Sequence, residues 1–399
     1  MNEQNKKVPT VRFKGFTNDW EQRKLGELVT SYDTKRMPIR SEERMAGPYP
    51  YYGATGIIDY VNNYIFDGKY LLLAEDGANI IDRTAPITYL TNGKFWLNNH
   101  AHIMNSTKSN LVFLKATLDR KNYIKFNTGT AQPKLNAKIV ANLKLNLPVL
   151  AEQDKISKVI SRIEIMIALQ QRKLEQLKQL KKAMLQQLFV DKNSKQPNLR
   201  FKNFNGEWEQ HKLGEVCEKT YSGLTGKNKQ DFGHGKAKYI TYLNVHDNAI
   251  ATTKGVDQVE IDPKQNEVVK GDLLFTVSSE VPEEVALNSV WPGTDNNVYL
   301  NSFCFGMRPM SKSVNSFFLT YYLRSPQMRR NIYPLAQGIS RFNISKRGIL
   351  SLTINLPNIR EQINVYKVIK NIECLVTLQQ QKLAKYQSIK KSLLQQMFI

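Results

Sequence analysis

The side chains best suited to chemistry in this sequence are basic and amide groups set among aromatics and glycines. Lys35, Arg36, Arg40 and Arg44 run up to Tyr49, Tyr51 and Tyr52. Arg83 follows the segment EDGAN, and Asn98, Asn99 and His100 stand together after the pair Phe95 and Trp96. Gln132 and Lys134 lie in the stretch GTAQPKLN, 129 to 136. Farther on, Lys227, Lys229, Lys236 and Lys238 are interspersed with glycines, and Arg324, Arg329, Arg330 and Arg341 form a last basic group. Such groups bind phosphate oxygens and supply the donors and acceptors that read base edges in the major groove. The same residues also suit solvated loops and strand-capping turns, and the sequence leaves both readings open. For the lysine run, whose glycines permit close backbone approach, phosphate positioning is the better fit.

Groups for bond-breaking chemistry are missing. SGLTGKN, starting at 222, has the wrong glycine spacing for a phosphate-binding loop and lacks its hydroxyl. The tetrapeptide of adenine methyltransferases, Asn or Asp followed by two prolines and an aromatic, does not occur. His100 and His102 are one residue apart, which fits a strand face better than a zinc site. Cys217, Cys304 and Cys374 are widely spaced and odd in number, so they are expected as small buried hydrophobes without disulfide or metal. The chain is expected to bind without reacting and to carry no metal.

Charge indicates what it binds. Lysine and arginine number 57 against 35 acidic residues, a formal net charge of +22. Such an excess calls for a polyanion, and neutralising nucleic-acid phosphates releases condensed counterions. A membrane surface is the weaker alternative. No stretch approaches the roughly 20 apolar residues of a membrane span, and MNEQNKKVPT has no apolar leader core, so a cytoplasmic protein is expected.

The elements that must position these groups are revealed by internal repetition. RFKGFTNDWEQRKLGELV, from 12, and RFKNFNGEWEQHKLGEVC, from 200, share most of their residues at an offset of 188. LNLPVLAEQDKISKVI, from 145, and INLPNIREQINVYKVI, from 354, are 209 apart, and that match continues to KKAMLQQLFV and KKSLLQQMFI. The difference in offset falls in two dissimilar segments, roughly 30 to 127 and 218 to 336. The order is therefore a repeated opening, a variable segment and a repeated helix, twice over.

Each repeated helix begins after a proline, Pro148 or Pro357, with Glu152 or Glu361 in the first turn, where a helix dipole favours negative charge. Alternate steps of four and three give a seam of Ile156, Ile160, Ile163, Ile167, Gln170, Leu174, Leu177, Lys181, Met184 and Leu188. The second seam is Val365, Ile369, Ile372, Val376, Gln379, Leu383, Tyr386, Lys390, Leu393 and Met397, interrupted by Gln and Lys at the same steps. This is coiled-coil spacing, in which polar interruptions fix register. At roughly 1.5 Å per residue each helix is about 60 Å long, enough to separate two domains. A second stripe, Val159, Met166 and Leu180 with Val368, Leu375 and Ile389, is either a docking face for another subunit or a face packed under the chain's own domains.

Within the variable segments, YYGATGIIDYV, KYLLLAE, ITYL, KFWLNNHAHIM, AKYITYL, VVKGDLLFTV and NSFCFGM predict strands. SNLVFLKATLDRKNYI and VNSFFLTYYLRSPQMRRNIY predict helices. The fold class is mixed, α/β or α+β: globular domains at 1–148 and 191–357, with helices at 149–190 and 358–399 packing antiparallel about a pseudo-two-fold axis.

The repeated RFKGF...WEQRKLGE opening, the GTAQPKLN loop and the duplicated helix ending in LQQLF resemble the specificity subunits of type I restriction-modification systems, over almost the whole chain. The second half departs from the pattern in its loop, where GISRFNIS, 338 to 345, replaces GTAQPKLN. The resemblance implies two target-recognition domains that each read half of a split double-stranded DNA site. It implies helices that bind methyltransferase subunits, two of them, joined by restriction and motor subunits. S-adenosylmethionine, ATP and magnesium would then sit on those partners, and methylation would fall on adenine. Two other readings remain, a coiled-coil scaffold that binds nucleic acid without sequence preference and a stand-alone nucleic-acid enzyme.

Overall fold

The computed structural model describes residues 8–191 and 194–399. The first seven residues, on which part of the leader reading falls, lie outside that range. The chain divides into two compact units, Met1–Arg172 with Gln381–Ile399, and Lys173–Gln380. This cut differs from the expected boundaries because each long helix gives one half to each unit. Among the described residues no helix is long and apolar enough to cross a membrane.

In the first unit the opening segment is tied to the segment before the first long helix. Glu21–Lys24 pairs antiparallel with Lys144–Leu147. Trp20, buried beside this pair, packs edge-on to Phe113 at 5.6 Å and to Phe398 at 6.2 Å. One four-stranded sheet runs Thr30–Ser31, Ala101–Asn105, Leu71–Ala74 and Thr88–Leu90, all antiparallel. A second runs Gly56–Val61, Ala46–Gly53, Lys94–Leu97 and Phe66–Asp67, with Tyr51 and Trp96 in a parallel pairing. The helix Leu111–Arg120 is capped by Asn110, whose Oδ1 accepts from the Val112 and Phe113 amides.

The second unit repeats this plan from a dissimilar sequence. Glu209–Lys212 pairs with Thr353–Leu356. An antiparallel sheet runs Cys217–Ser222, Cys304–Pro309, Leu273–Thr276 and Asn288–Val290. The second sheet, Val256–Val259, Phe232–Ile240 and Val298–Leu300, has its own parallel pairing of Tyr239 with Tyr299. Trp208 is again fully buried, near Phe318 and Tyr322.

Several readings of the variable segments need correcting. ITYL after AKY is not all strand: Thr241 accepts from the Asn244 amide and starts the helix Tyr242–Asp247. The predicted helix at VNSFFLTYYLRSPQMRRNIY breaks into Ser316–Leu323 and Pro326–Ile332, because Ser325 caps a new start with proline at its first position. Cys304 is buried and Cys217 half-buried, but Cys374 is exposed on the second long helix, outside its seam.

The long helices span Leu150–Gln187 and Ile359–Gln396. Their seam residues are the ones shielded along the helix middles. Ile160, Ile369 and Ile372 are buried, while Ile163, Ile167, Leu174, Leu177, Val376, Leu383 and Tyr386 are half-buried. Within the first unit Lys390 Nζ lies 2.7 Å from Glu164, and within the second Lys181 Nζ lies 2.6 Å from Glu373. The same pair is thus made once in each unit with the helices exchanged. Both seam lysines that interrupt the apolar pattern are satisfied by the facing helix. Of the second stripe, Val159 and Val368 are half-buried, whereas Met166, Leu180, Leu375 and Ile389 are exposed beside Ile165, Leu169 and Leu378. Most of that stripe does not pack under the chain's own domains.

Candidate nucleic-acid interface

In the first unit, four segments meet at the end of the strand Leu71–Ala74: the turn Asp33–Lys35, residues 75–77, the turn at 98–100 and the loop 129–136. Main-chain bonds set their order, with the Glu75 amide donating to the His100 carbonyl at 2.9 Å and the Leu135 amide to the Glu75 carbonyl at 2.7 Å. His102 is buried behind them, with Nδ1 2.6 Å from Asp33 Oδ2 and Nε2 2.7 Å from the Leu135 carbonyl. Its two ring nitrogens thereby tie the loop to the turn. Burial opposes the charge on Asp33, yet the His102 bond and charge, with the Ile103 amide and Arg36, hold its carboxyl below the usual range.

In the second unit the loop 337–343 is attached in the same way. Gln337 and Asn343 exchange main-chain bonds of 2.8 and 2.7 Å, and Ser278 pairs with Asn343 as Asp76 bridges to Lys134. The Ile344 amide donates to the Val277 carbonyl at 3.0 Å, matching Leu135 on Glu75. Asn136 and Ser345, 209 residues apart, each cap the short helix that follows. GISRFNIS is therefore built like GTAQPKLN, although their side chains differ.

The structure divides the candidate residues into two groups. Lys35, Arg40, Asn99, His100, Gln132, Lys134, Lys229, Lys236, Lys238, Arg330 and Arg341 are exposed. His100 bonds Asp76 at 2.9 Å, Lys134 lies 3.3 Å from Glu75, Lys238 3.1 Å from Asp295, and Arg330 3.2 Å from Asp191. The others are built into the framework. Arg36 donates to Glu75 at 2.6 Å and to the Ala101 carbonyl at 2.9 Å. Arg44 lies over the Tyr51 ring and bonds Asp59 at 3.3 Å, and Lys227 pairs with Asp262 at 2.9 Å. Arg83, with a left-handed backbone (φ 57°), donates to the Asp119 carbonyl, and buried Asn98 accepts from the His100 amide at 2.8 Å.

Arg324 gathers the carbonyls of Val245 and His246, at 2.9 and 2.7 Å, with those of Asn288 and Asn248. Arg329 gathers those of Glu283, Val285 and Ala286. Burial lowers each of these two guanidinium pKa values to about 10. Both guanidinium groups are turned inward onto main-chain acceptors of the second unit, so neither reaches a duplex as the free contact expected from sequence.

The family model described as the type I restriction modification DNA specificity domain matches residues 17–179 and again 205–387. The chain belongs to this family. It is a DNA-recognition subunit of a type I restriction-modification system. Over 94% of the chain it is 22% identical to a type I restriction enzyme specificity subunit of Methanocaldococcus jannaschii, across 91% of that protein. A specificity subunit of Haemophilus influenzae is 36% identical over 35% of the chain, a match that spans 36% of the relative's length. The crystal structure of a type I S subunit from M. genitalium has the same fold, with TM-score 0.62 at 14% identity, covering 98% of this chain and 99% of that one.

In this specificity chain, sequence reasoning missed the acidic side of the interface. Asp33, Glu75 and Asp76 orient Arg36, His102, Lys134 and His100. Only EDGAN, with two acidic residues ending an apolar strand, pointed to Glu75 and Asp76, and no motif pointed to Asp33. In the second unit it missed Ser278 and Phe303, which lie against Arg341, because neither belongs to a charged or repeated motif.

Proposed function

We propose that the two units read the two halves of a bipartite duplex site and that the chain itself is non-catalytic, directing adenine methylation and restriction by partner subunits. The observation that carries this reading is the repetition of one sheet plan and one docked loop in two units whose exposed side chains differ. A common frame presenting different donors and acceptors is what two unlike half-sites require. Lys35, Arg40, Lys134, Lys229, Lys236 and Lys238 serve as phosphate contacts at its margins. The exposed stripes on the two long helices support docking of methyltransferase subunits, one stripe to each of two copies. S-adenosylmethionine, ATP and magnesium then belong to those copies and to the restriction subunits.

The test is to exchange residues 30–127 for the matching segment of a relative and map methylated adenines in cells that carry the chain with a modification subunit. One half of the recognised site should change while the other half persists. A change in both halves, or in neither, would count against the bipartite reading.

A further inference from the structure

Both docked loops turn on a glycine that leaves no room for a side chain. A Cβ on Gly129 would stand 1.7 Å from the Gln132 carbonyl oxygen. One on Gly338, whose φ is +134°, would stand 2.1 Å from the Arg341 carbonyl oxygen. Each turn therefore seats the backbone of the residue three places on. The two glycines are 209 residues apart, and so are Gln132 and Arg341, the docking residues Lys134 and Asn343, and the caps Asn136 and Ser345. Gln132 and Arg341 thus occupy one structural position, and both side chains are exposed.

The chemistry at that position differs between the units. An amide sets an N–H donor group beside a carbonyl acceptor, the complement of adenine N7 and N6, whereas a guanidinium presents paired donors that match guanine O6 and N7. The residue beneath the loop changes accordingly. Asp76, under the first loop, is occupied by His100, while the second unit has Ser278 at the matching place. A carboxylate there would compete for the Arg341 guanidinium, but Ser278 Oγ accepts from it at only 3.3 Å. Arg341 also lies over the exposed ring of Phe303, 5.6 Å from its centroid. Two residues before it Ile339 is 97% exposed, an apolar side chain with water as its neighbour in the free protein. A loop seated by its own backbone spends little ordering entropy on binding, which suits a reader.

We propose that Gln132 and Arg341 are equivalent base readers, Gln132 taking an adenine in one half-site and Arg341 a guanine in the other, through the major groove. This rests on the bipartite reading above. The experiment selects duplexes from a randomised pool with the full chain carrying its modification subunit, comparing the native protein with R341Q, R341K and Q132R. R341Q should lose about tenfold or more of the guanine preference at one position of one half-site and gain adenine there. R341K keeps the charge but not the rigid planar fork, so it should weaken the guanine preference at the same position while general affinity holds. Q132R should move one position of the other half-site from adenine toward guanine. If all three variants keep the native base preferences, or if R341Q weakens every sequence equally while R341K matches the native protein, Arg341 is a phosphate contact and the inference fails. If the native complex selects no site at all, the bipartite reading fails, and this inference with it.

Discussion

Arg12 closes on Glu152 through two contacts of 2.8 Å, Nε to Oε1 and Nη2 to Oε2, with the glutamate fully buried in the first turn of the first long helix. Arg200 makes the same bidentate pair with Glu361 at 2.9 Å on both arms. The opening segment of each repeat is thereby locked to the helix of the same unit. Removing one partner of a buried pair leaves an uncompensated charge, which costs about 3 to 5 kcal/mol. Arg12→Ala should lower stability by that amount in urea unfolding, and Arg200→Ala should do the same. A loss under about 1 kcal/mol would place these pairs with ordinary surface ion pairs.

The last residues of the chain belong to the first unit's core. Phe398 stacks on Phe113 at 5.1 Å and meets Trp20, much as Phe189 stacks on Tyr322 at 5.2 Å in the second unit. Phe398→Ala should cost about 3 to 5 kcal/mol. The fluorescence of Trp20 should report the loss, while that of Trp208, in the other unit, keeps its native transition.

Acid should act on the first unit through Asp33. Its folded pKa is lowered, so it contributes stability above the ordinary carboxylate value, about 3.9. That stability is lost as pH falls through the lower folded value, because only the unfolded chain takes up the proton in that interval. Asp33→Asn should flatten this limb of the pH profile and cost about 1 to 3 kcal/mol at neutral pH. Hydrogen exchange at the Leu135 amide should quicken with it. Asp59→Asn, which removes the more exposed partner of Arg44, is the control and should cost less than about 1 kcal/mol.

Inserting seven residues in each long helix, after Gln170 and after Gln379, preserves the seam and adds roughly 10 Å at 1.5 Å per residue. The preferred spacer between half-sites should lengthen by about three base pairs at 3.4 Å each. Affinity should fall even at the new optimum, since the half-site also rotates. Four-residue insertions turn the seam away from its partner and should disrupt assembly. Binding to duplexes whose spacers vary by single pairs reads the outcome, and an unchanged optimum in a folded protein would deny the helices this role.

The exposed stripe offers a separate check. Leu169→Glu with Leu378→Glu places charge on the open face of each helix. Co-purification of methyltransferase subunits should be lost while the melting profile of the isolated chain stays unchanged. Retained co-purification would move the docking face elsewhere.

The sequence by itself determined the scaffold. The 188 and 209 offsets announce two repeats, and the four-three spacing from Ile156 and from Val365 marks the shielded face down to the Gln and Lys interruptions. These features were legible because duplication and helical periodicity are properties of neighbours along the chain. What only the tertiary structure decided is where charge ends up. Arg324 and Arg341 look alike as basic residues beside a helix, yet one spends its donors on carbonyls brought in from residues 245–248 and 288, and the other stands on an exposed turn. Likewise GISRFNIS shares only its glycine with a loop whose build it repeats, and that likeness lies in main-chain pairing with Val277 and Ser278. Backbone pairing is indifferent to most side chains, so two dissimilar sequences can hold the same frame while presenting different groups. Contacts between distant segments set whether an arginine is framework or reader, and no local pattern encodes them.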